Sequence, residues 1–413
     1  MSSLVAYEDS ESEDDSLEQT KERPPAAVQT GFCEQNQEVR VPYIPKRQRL
    51  ATSVETADPK YSAEQVPGNQ TRTGQILSEV SPRVKPYLAH KPGAAGIPRR
   101  LLMSLGGHQG PVNTVQWCPV PHLSHLLLSA SMDKTFKVWD GAESGRCLRV
   151  YTCHSGAVRD ACWTPCGRHL LTGSFDNSAV ITDVETGQQV VKLDNQFKVM
   201  CVVLHPSNPE VFLCGGYSSV VKAWDSRSCK VVKAYKAGIQ QTLDILFLRG
   251  GADFITSSDC VSRDSADRTL VAWDYETTAK VSNQIYQTNG NYVAVFSSQQ
   301  PYRMNKRRRY EGHKVEGYAV RCEFSRDGTI LASGSSTGSA HFYDYHNARS
   351  LHTLHAHTHP CLCVSQHPVL PATAATCDWA DLWSHTGKKK SFNIYHAKGR
   401  TDVGALSFCP HLY

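Results

Sequence analysis

Histidine, serine and aspartate recur in this chain at a spacing that could assemble a base, a nucleophile and an orienting carboxylate. His108, Ser129 or Ser131, and Asp133 all fall between Gly107 and Asp140. Such a set would activate a serine hydroxyl for acyl transfer. The spacing returns at His154 and Asp176, and single members return at Asp267, His313 and His357. One active site does not come in several copies, so the pattern reads as a structural repeat, with no catalytic residue. A second cluster is LHTLHAHTHPCLC, with His352, His355, His357, His359, Cys361 and Cys363. Imidazole and thiolate suit zinc, but no Cys-x2-Cys pair accompanies them, and they read as strand histidines with no metal. A third stretch is PYRMNKRRRYEGHK, in which Arg303, Lys306, Arg307, Arg308 and Arg309 lie between Tyr302 and Tyr310. Cations interleaved with aromatics suit phosphate contacts and base stacking. This run is expected in a loop between repeats, with RNA or an acidic protein surface as its partner. No glycine-rich phosphate cradle occurs, and no cofactor is expected.

The elements that would position these residues are short strands. Within 107–140, VNTVQW alternates with period two, prolines interrupt, LLLSAS follows, a turn is centred on Met132-Asp133, and TFKVW closes. Alternating strands separated by Pro, Ser and Asp turns make an antiparallel meander. A Gly-His to Trp-Asp unit of roughly 40 to 45 residues is the signature of a propeller blade. On these residues the chain resembles the WD40 family. The resemblance implies an all-β propeller and a buried hydrogen-bonded network in each blade. Its members here would be His108, Asp133 and Trp139, then His154, Asp176, Asp267, Trp273, His313 and His357. It also gives meaning to Trp224-Asp225-Ser226-Arg227. In some WD40 proteins W-D-x-R marks docking to a cullin-type ubiquitin ligase, so Arg227 is an alternative docking residue.

The repeats predict seven blade positions with the fifth incomplete. Between Trp273 and Gly312 lie 38 residues, where a further blade needs roughly 50 to 55. One strand, NGNYVAVF, is legible there. Arg100–Leu105 is expected to complete the last blade, which itself reaches Trp383. The domain reading is a disordered acidic and Pro-rich arm over 1–97, a propeller over 98–384, and an unassigned tail over 385–413.

Composition sets the outer bounds. A net charge of +5 over 413 residues does not declare a nucleic-acid binder. Seven acids and no base fall within 8–18, among Ser10, Ser12 and Ser16, and read as a solvated, kinase-accessible tail. No run approaches ~18 apolar residues, so no membrane span is expected. The start lacks a signal-peptide layout, and the 15 cysteines read as reduced thiols in the nucleus or cytosol.

Several stretches are more specific than the general repeat. MSSLVAYEDSESED, VPYIPKRQR, HSGAVRD with Arg159 and Asp160, YRMNKRRRYEGHKVEGY and HPVLPATAATCDW together resemble a narrower family. That family comprises the WD-repeat pre-mRNA-processing factor of the second splicing step and its paralogue. The resemblance implies a non-catalytic nuclear scaffold with protein partners, spliceosomal ones first, and RNA as a further candidate. It implies no membrane and no small-molecule substrate.

Overall fold

The structure, a computed structural model, describes residues 76–89, 94–236, 241–258, 267–287, 291–316, 318, 320–379 and 392–396. The acidic segment over 8–18, the VPYIPKRQR stretch and residues 260–266 lie outside the described residues, as do the side chains of 267–269, 283–287 and 392. No helix among the described residues is long and apolar enough to cross a membrane.

Seven antiparallel sheets are formed, six of four strands and one of two. Blade one takes Val112–Trp117, Leu126–Ser131, Phe136–Asp140 and Cys147–Tyr151 as its first to fourth strands. Its second strand is buried along its whole length, and its fourth alternates toward solvent. Burial therefore falls outward from the second strand. The other complete blades repeat this plan. Their first strands are Val158–Trp163 (two), Val199–Leu204 (three), Thr242–Phe247 (four), Cys322–Phe324 (six) and Cys361–Gln366 (seven). The core sits between blades. Leu126, Leu128, Phe136 and Val138 of blade one, for example, pack on Val158, Trp163 and Leu170 of blade two.

Among the described residues, blade five consists of Tyr292–Phe296 and Met304–Glu311. Register shows which strands survive. Val293 pairs with Tyr310 as Phe136 pairs with Tyr151 and Val221 with Tyr235. The two strands are thus the third and fourth of a blade whose inner half is missing. The basic run, expected in a loop, is this outermost strand, because the pairing of Tyr310 with Val293 and of Arg309 with Ala294 seats it against Tyr292–Phe296.

Blade seven closes the ring. Arg100–Leu105 pairs with Phe392–His396, which pairs with Thr373–Asp378. The propeller therefore runs past Ser384, the boundary drawn from the sequence. Tyr395 pairs with Ala374 as Trp139 pairs with Leu127, so Tyr395, not Trp383, holds the closing aromatic position. Residues 380–391, Trp383 among them, lie outside the described residues, and their number hides this strand from any fixed spacing. The arm boundary also moves. Val84 is fully buried with Ala142 and Leu370. Glu185 accepts the backbone N–H groups of Ile76 and Leu77 at 3.1 and 3.0 Å. Glu143 accepts the Ser81 hydroxyl at 2.6 Å. Residues 76–89 are thus strapped to blades one and two, because three apolar side chains and two carboxylates suffice to hold a short segment.

Candidate interaction surface and the networks that frame it

In blade one the indole N–H of Trp139 donates to Ser129 Oγ at 2.9 Å. Ser129 Oγ lies 2.7 Å from His108 Nε2, and His108 Nδ1 lies 2.8 Å from Asp133 Oδ2. The carboxylate also accepts the N–H of Gln109 at 2.7 Å and the hydroxyl of Thr135 at 2.7 Å. Ser129, rather than Ser131, is the network serine; Ser131 instead donates to Pro111 O in the turn. Burial works against ionisation of Asp133, but the hydrogen bonds from His108, Thr135 and Gln109 outweigh it and hold its carboxyl well below the usual range. Burial in turn lowers His108, with Asp133 opposing. Ser129 has no exposed surface, so its hydroxyl is a link in a strut and meets no substrate.

The strut is rebuilt with substitutions around the ring. Blade two uses Thr172, 2.8 Å from His154 Nε2, with Asp176 at 3.0 Å from Nδ1. Blade three has no histidine; Asn195 Oδ1 accepts the Trp224 indole at 2.8 Å. In blade four Trp273 donates to Thr256 at 3.0 Å, while the Asp267 side chain lies outside the described residues. In blade six His313 Nδ1 meets the Tyr343 hydroxyl at 3.2 Å. In blade seven His357 Nε2 meets Thr376 at 2.8 Å, and Asp378 lies 3.4 Å from its Nδ1. His355 turns to Ser339 at 3.1 Å. Among the described residues no three His, Cys, Asp or Glu side chains are grouped to hold a metal.

Two further features escaped the sequence. One is a clasp between blades. Tyr151, Tyr235 and Tyr310, each on a fourth strand, donate to the backbone carbonyls of Val184, Tyr275 and Tyr345 at 2.9, 2.8 and 2.7 Å. A tyrosine three residues before the blade histidine, as in Tyr151 and His154 or Tyr310 and His313, was the available signal. Tyr310→Phe removes the hydrogen bond to the Tyr345 carbonyl and costs about 1 kcal/mol of stability, readable as a lower urea midpoint. An unchanged midpoint would remove the clasp from the account.

The other feature lines the central channel. After a bulge in each first strand comes a residue opposite the second strand: Thr114, Asp160, Cys201, Asp244 and Cys363. Arg321 holds the same place in blade six, opposite Gly334. Arg321 donates to Asp160 Oδ1 at 2.7 Å and to Thr114 Oγ1 at 3.0 Å. Asp160 Oδ2 accepts the N–H of Val202 at 3.0 Å. Neighbouring Arg159 donates to Asn113 at 3.3 Å. Blade five contributes nothing to this layer among the described residues.

The surface of blade five carries the cations. Lys306, Arg307 and Arg309 are exposed on the outer strand, and Arg303 is exposed just before it. The guanidinium of Arg308 stacks 5.0 Å from the Tyr345 ring, and that of Arg309 lies 4.8 Å from Tyr292. Stacking presents the planar groups in a fixed direction. Tyr302 is not a free stacking platform, since its hydroxyl donates to Asp253 at 2.5 Å. Arg227 projects into solvent from the turn after Asp225, 3.7 Å from that carboxylate; Trp224 itself is buried.

The family model "WD domain, G-beta repeat" matches residues 99–140, 145–183 and 304–344. Each match starts on the outer strand of one sheet and ends on the third strand of the next, so sequence repeat and structural blade are offset by one strand. The chain is 48% identical over 363 residues to WD repeat-containing protein 25 of Mus musculus, covering 82% of this chain and 68% of that protein. It is 28% identical over 308 residues to pre-mRNA-processing factor 17 of Homo sapiens, covering 69% of this chain and 52% of that protein. The namesake in Saccharomyces cerevisiae is 26% identical over 281 residues, covering 62% of this chain and 60% of that protein. The chain thus spans little more than half the length of the human processing factor. With its blades, struts and closing strand, it belongs to the WD-repeat family that includes WD repeat-containing protein 25.

Proposed function

We propose that this chain is a non-catalytic scaffold for protein contacts in a nuclear ribonucleoprotein concerned with pre-mRNA splicing. One observation carries the reading. The imidazole–carboxylate sets that could do chemistry are buried and spent on holding blades together, while the cations of blade five face outward on a rigid strand. Rigid repeats that display loops and edges suit several simultaneous contacts. Likeness to proteins named for pre-mRNA processing supplies the setting. Arg303, Lys306, Arg307, Arg308 and Arg309 are the partner-facing residues in this proposal, toward acidic side chains or RNA phosphates.

Proximity labelling in intact cells tests it, with wild type beside a Lys306→Ala/Arg307→Ala/Arg309→Ala variant. All three sites are solvent-facing, so the variant keeps its circular dichroism. Splicing proteins labelled by wild type and lost from the variant are expected. Labelling of ubiquitin-ligase adaptors that Arg227→Ala abolishes would overturn the reading, and so would labelling without any nuclear ribonucleoprotein component.

A further inference from the structure

The channel layer contains one residue pair whose chemistry the scaffold does not use. Cys363 of the first strand of blade seven is the direct cross-strand partner of Cys377 on the second. The equivalent pairs elsewhere are Thr114 with Ala130, Asp160 with Gly173 and Cys201 with Gly215, so two facing thiols distinguish blade seven. Directly opposed residues of an antiparallel pair have Cβ atoms ~4.5–5.5 Å apart, near the range a disulfide spans. Cys363 Sγ also lies 3.6 Å from Val115 O, inside the layer that Arg321 and Asp160 share.

We propose that Cys363 and Cys377 are a peroxide-sensitive dithiol that closes to an intramolecular disulfide across the first two strands of blade seven. The division of labour follows from the surroundings. The hydrogen bond from the Cys377 thiol, with the Arg321 guanidinium nearby, lowers the Cys363 thiol below the ordinary range. Burial pushes Cys377 up and keeps it protonated, as it pushes up Cys118, Cys214 and Cys361. Cys363 is therefore the attacking thiolate and Cys377 the resolving thiol.

The chemistry balances with a hydroperoxide as oxidant. The Cys363 thiolate attacks one peroxide oxygen, the O–O bond breaks, and the departing oxygen takes a proton and leaves as an alcohol, or as water from hydrogen peroxide. The sulfur is oxidised by two electrons to a sulfenic acid. Cys377 sulfur then attacks Cys363 sulfur, the S–S bond forms, the S–O bond breaks, and hydroxide leaves with the Cys377 proton as water. Access suits an oxidant this small. Both thiols are buried, Cys363 slightly less so than Cys377, and only an oxidant of this size reaches them. A cross-strand disulfide at this spacing is strained and easily reduced, which makes the closure reversible.

The test uses the full-length reduced protein, a slight excess of hydrogen peroxide, alkylation of the remaining thiols, and peptide mapping without reductant. A Cys363–Cys377 linkage that dithiothreitol removes is expected. Exposed Cys147, Cys166 and Cys229 are alkylated or oxidised singly and do not enter that linkage. In Cys377→Ser, Cys363 accumulates as a sulfenic acid captured by dimedone. Arg321→Gln slows linkage by about tenfold, through the lost thiolate fraction. Should that variant fail to fold, the wild-type rate carries the same information, since it levels off at a lower pH than the oxidation of an ordinary thiol. No linkage, pairing of Cys363 with another cysteine, or a folded Cys377→Ser without dimedone adduct would overturn the proposal.

Discussion

Asp160→Ala lowers the folding stability by about 2–3 kcal/mol, less than the loss typical of a fully buried ion pair because the Arg321 side chain is 29% exposed. The Asp160 side chain is 7% exposed and sits 2.7 Å from the Arg321 guanidinium. It also accepts the N–H groups of Ala161 and Val202, both at 3.0 Å. Alanine leaves those two donors without their acceptor and leaves the half-buried guanidinium with its bond to Thr114, and each unmet buried group costs about 1–3 kcal/mol. Part of that loss is recovered because Asp244 also attracts Arg321. Asp160→Asn keeps an acceptor and loses the charge, so it falls between wild type and alanine. Urea titrations of the three proteins give the order directly. A midpoint for Asp160→Ala within about 1 kcal/mol of wild type would show that the bridge across the channel is idle.

Acid weakens the ring well before its carboxylates titrate. Burial holds His313 down at about 4 and His367 at about 3, whereas an unfolded histidine titrates near 6.5. Between those limits the unfolded chain binds protons that the folded chain refuses, so stability falls as pH falls, by about 1.4 kcal/mol per pH unit for each group. Glu323 works in the opposite sense. Burial pushes its carboxyl up to about 8, so the folded chain keeps a proton that the unfolded chain releases, and stability rises as pH falls from 8 to the ordinary carboxylate range. Two histidines against one carboxyl give a net loss of about 2 kcal/mol between pH 6.5 and 5. His108, His154 and His341, all lowered by burial, add to the same side. Glu323→Gln removes the opposing group and doubles the acid loss over that window. Denaturant midpoints at pH 7.5, 6.5 and 5 check both statements, and equal slopes for wild type and variant would sink the assignment of Glu323.

The repeat plan was legible because it rests on local chemistry. Gly-His openings, Asp turns and Trp-Asp closings place five blades outright, and the count of residues after Trp273 exposed the missing half-blade. What the sequence hid depends on register. Nothing in TCDWADLWS says that the strand completing blade seven begins at Phe392, because the number of residues before it destroys the fixed interval from turn to aromatic. The basic run looked like a loop because Lys306 to Arg309 show no apolar alternation; pairing of Val293 with Tyr310 is what makes it a strand. Arg321 and Asp160 lie 161 residues apart, and no local pattern marks them as partners across a channel. Residues 76–89 shared the composition of a free arm, and it is Val84, Ile76, Leu77, Arg83 and two glutamates from distant turns that tether them.

The half-blade changes what kind of object the ring is. In energetic terms it is an open array of blades running six, seven, one, two, three, four, each leaning on its neighbours. Its two ends are joined by an outer clip made of Tyr302 on Asp253 and Tyr310 on Tyr345. Nearest-neighbour arrays are held least firmly at their ends. Blades seven and one, assembled from distant parts of the chain, therefore sit at the protected middle, while blades four and six, from its interior, are the frayed termini.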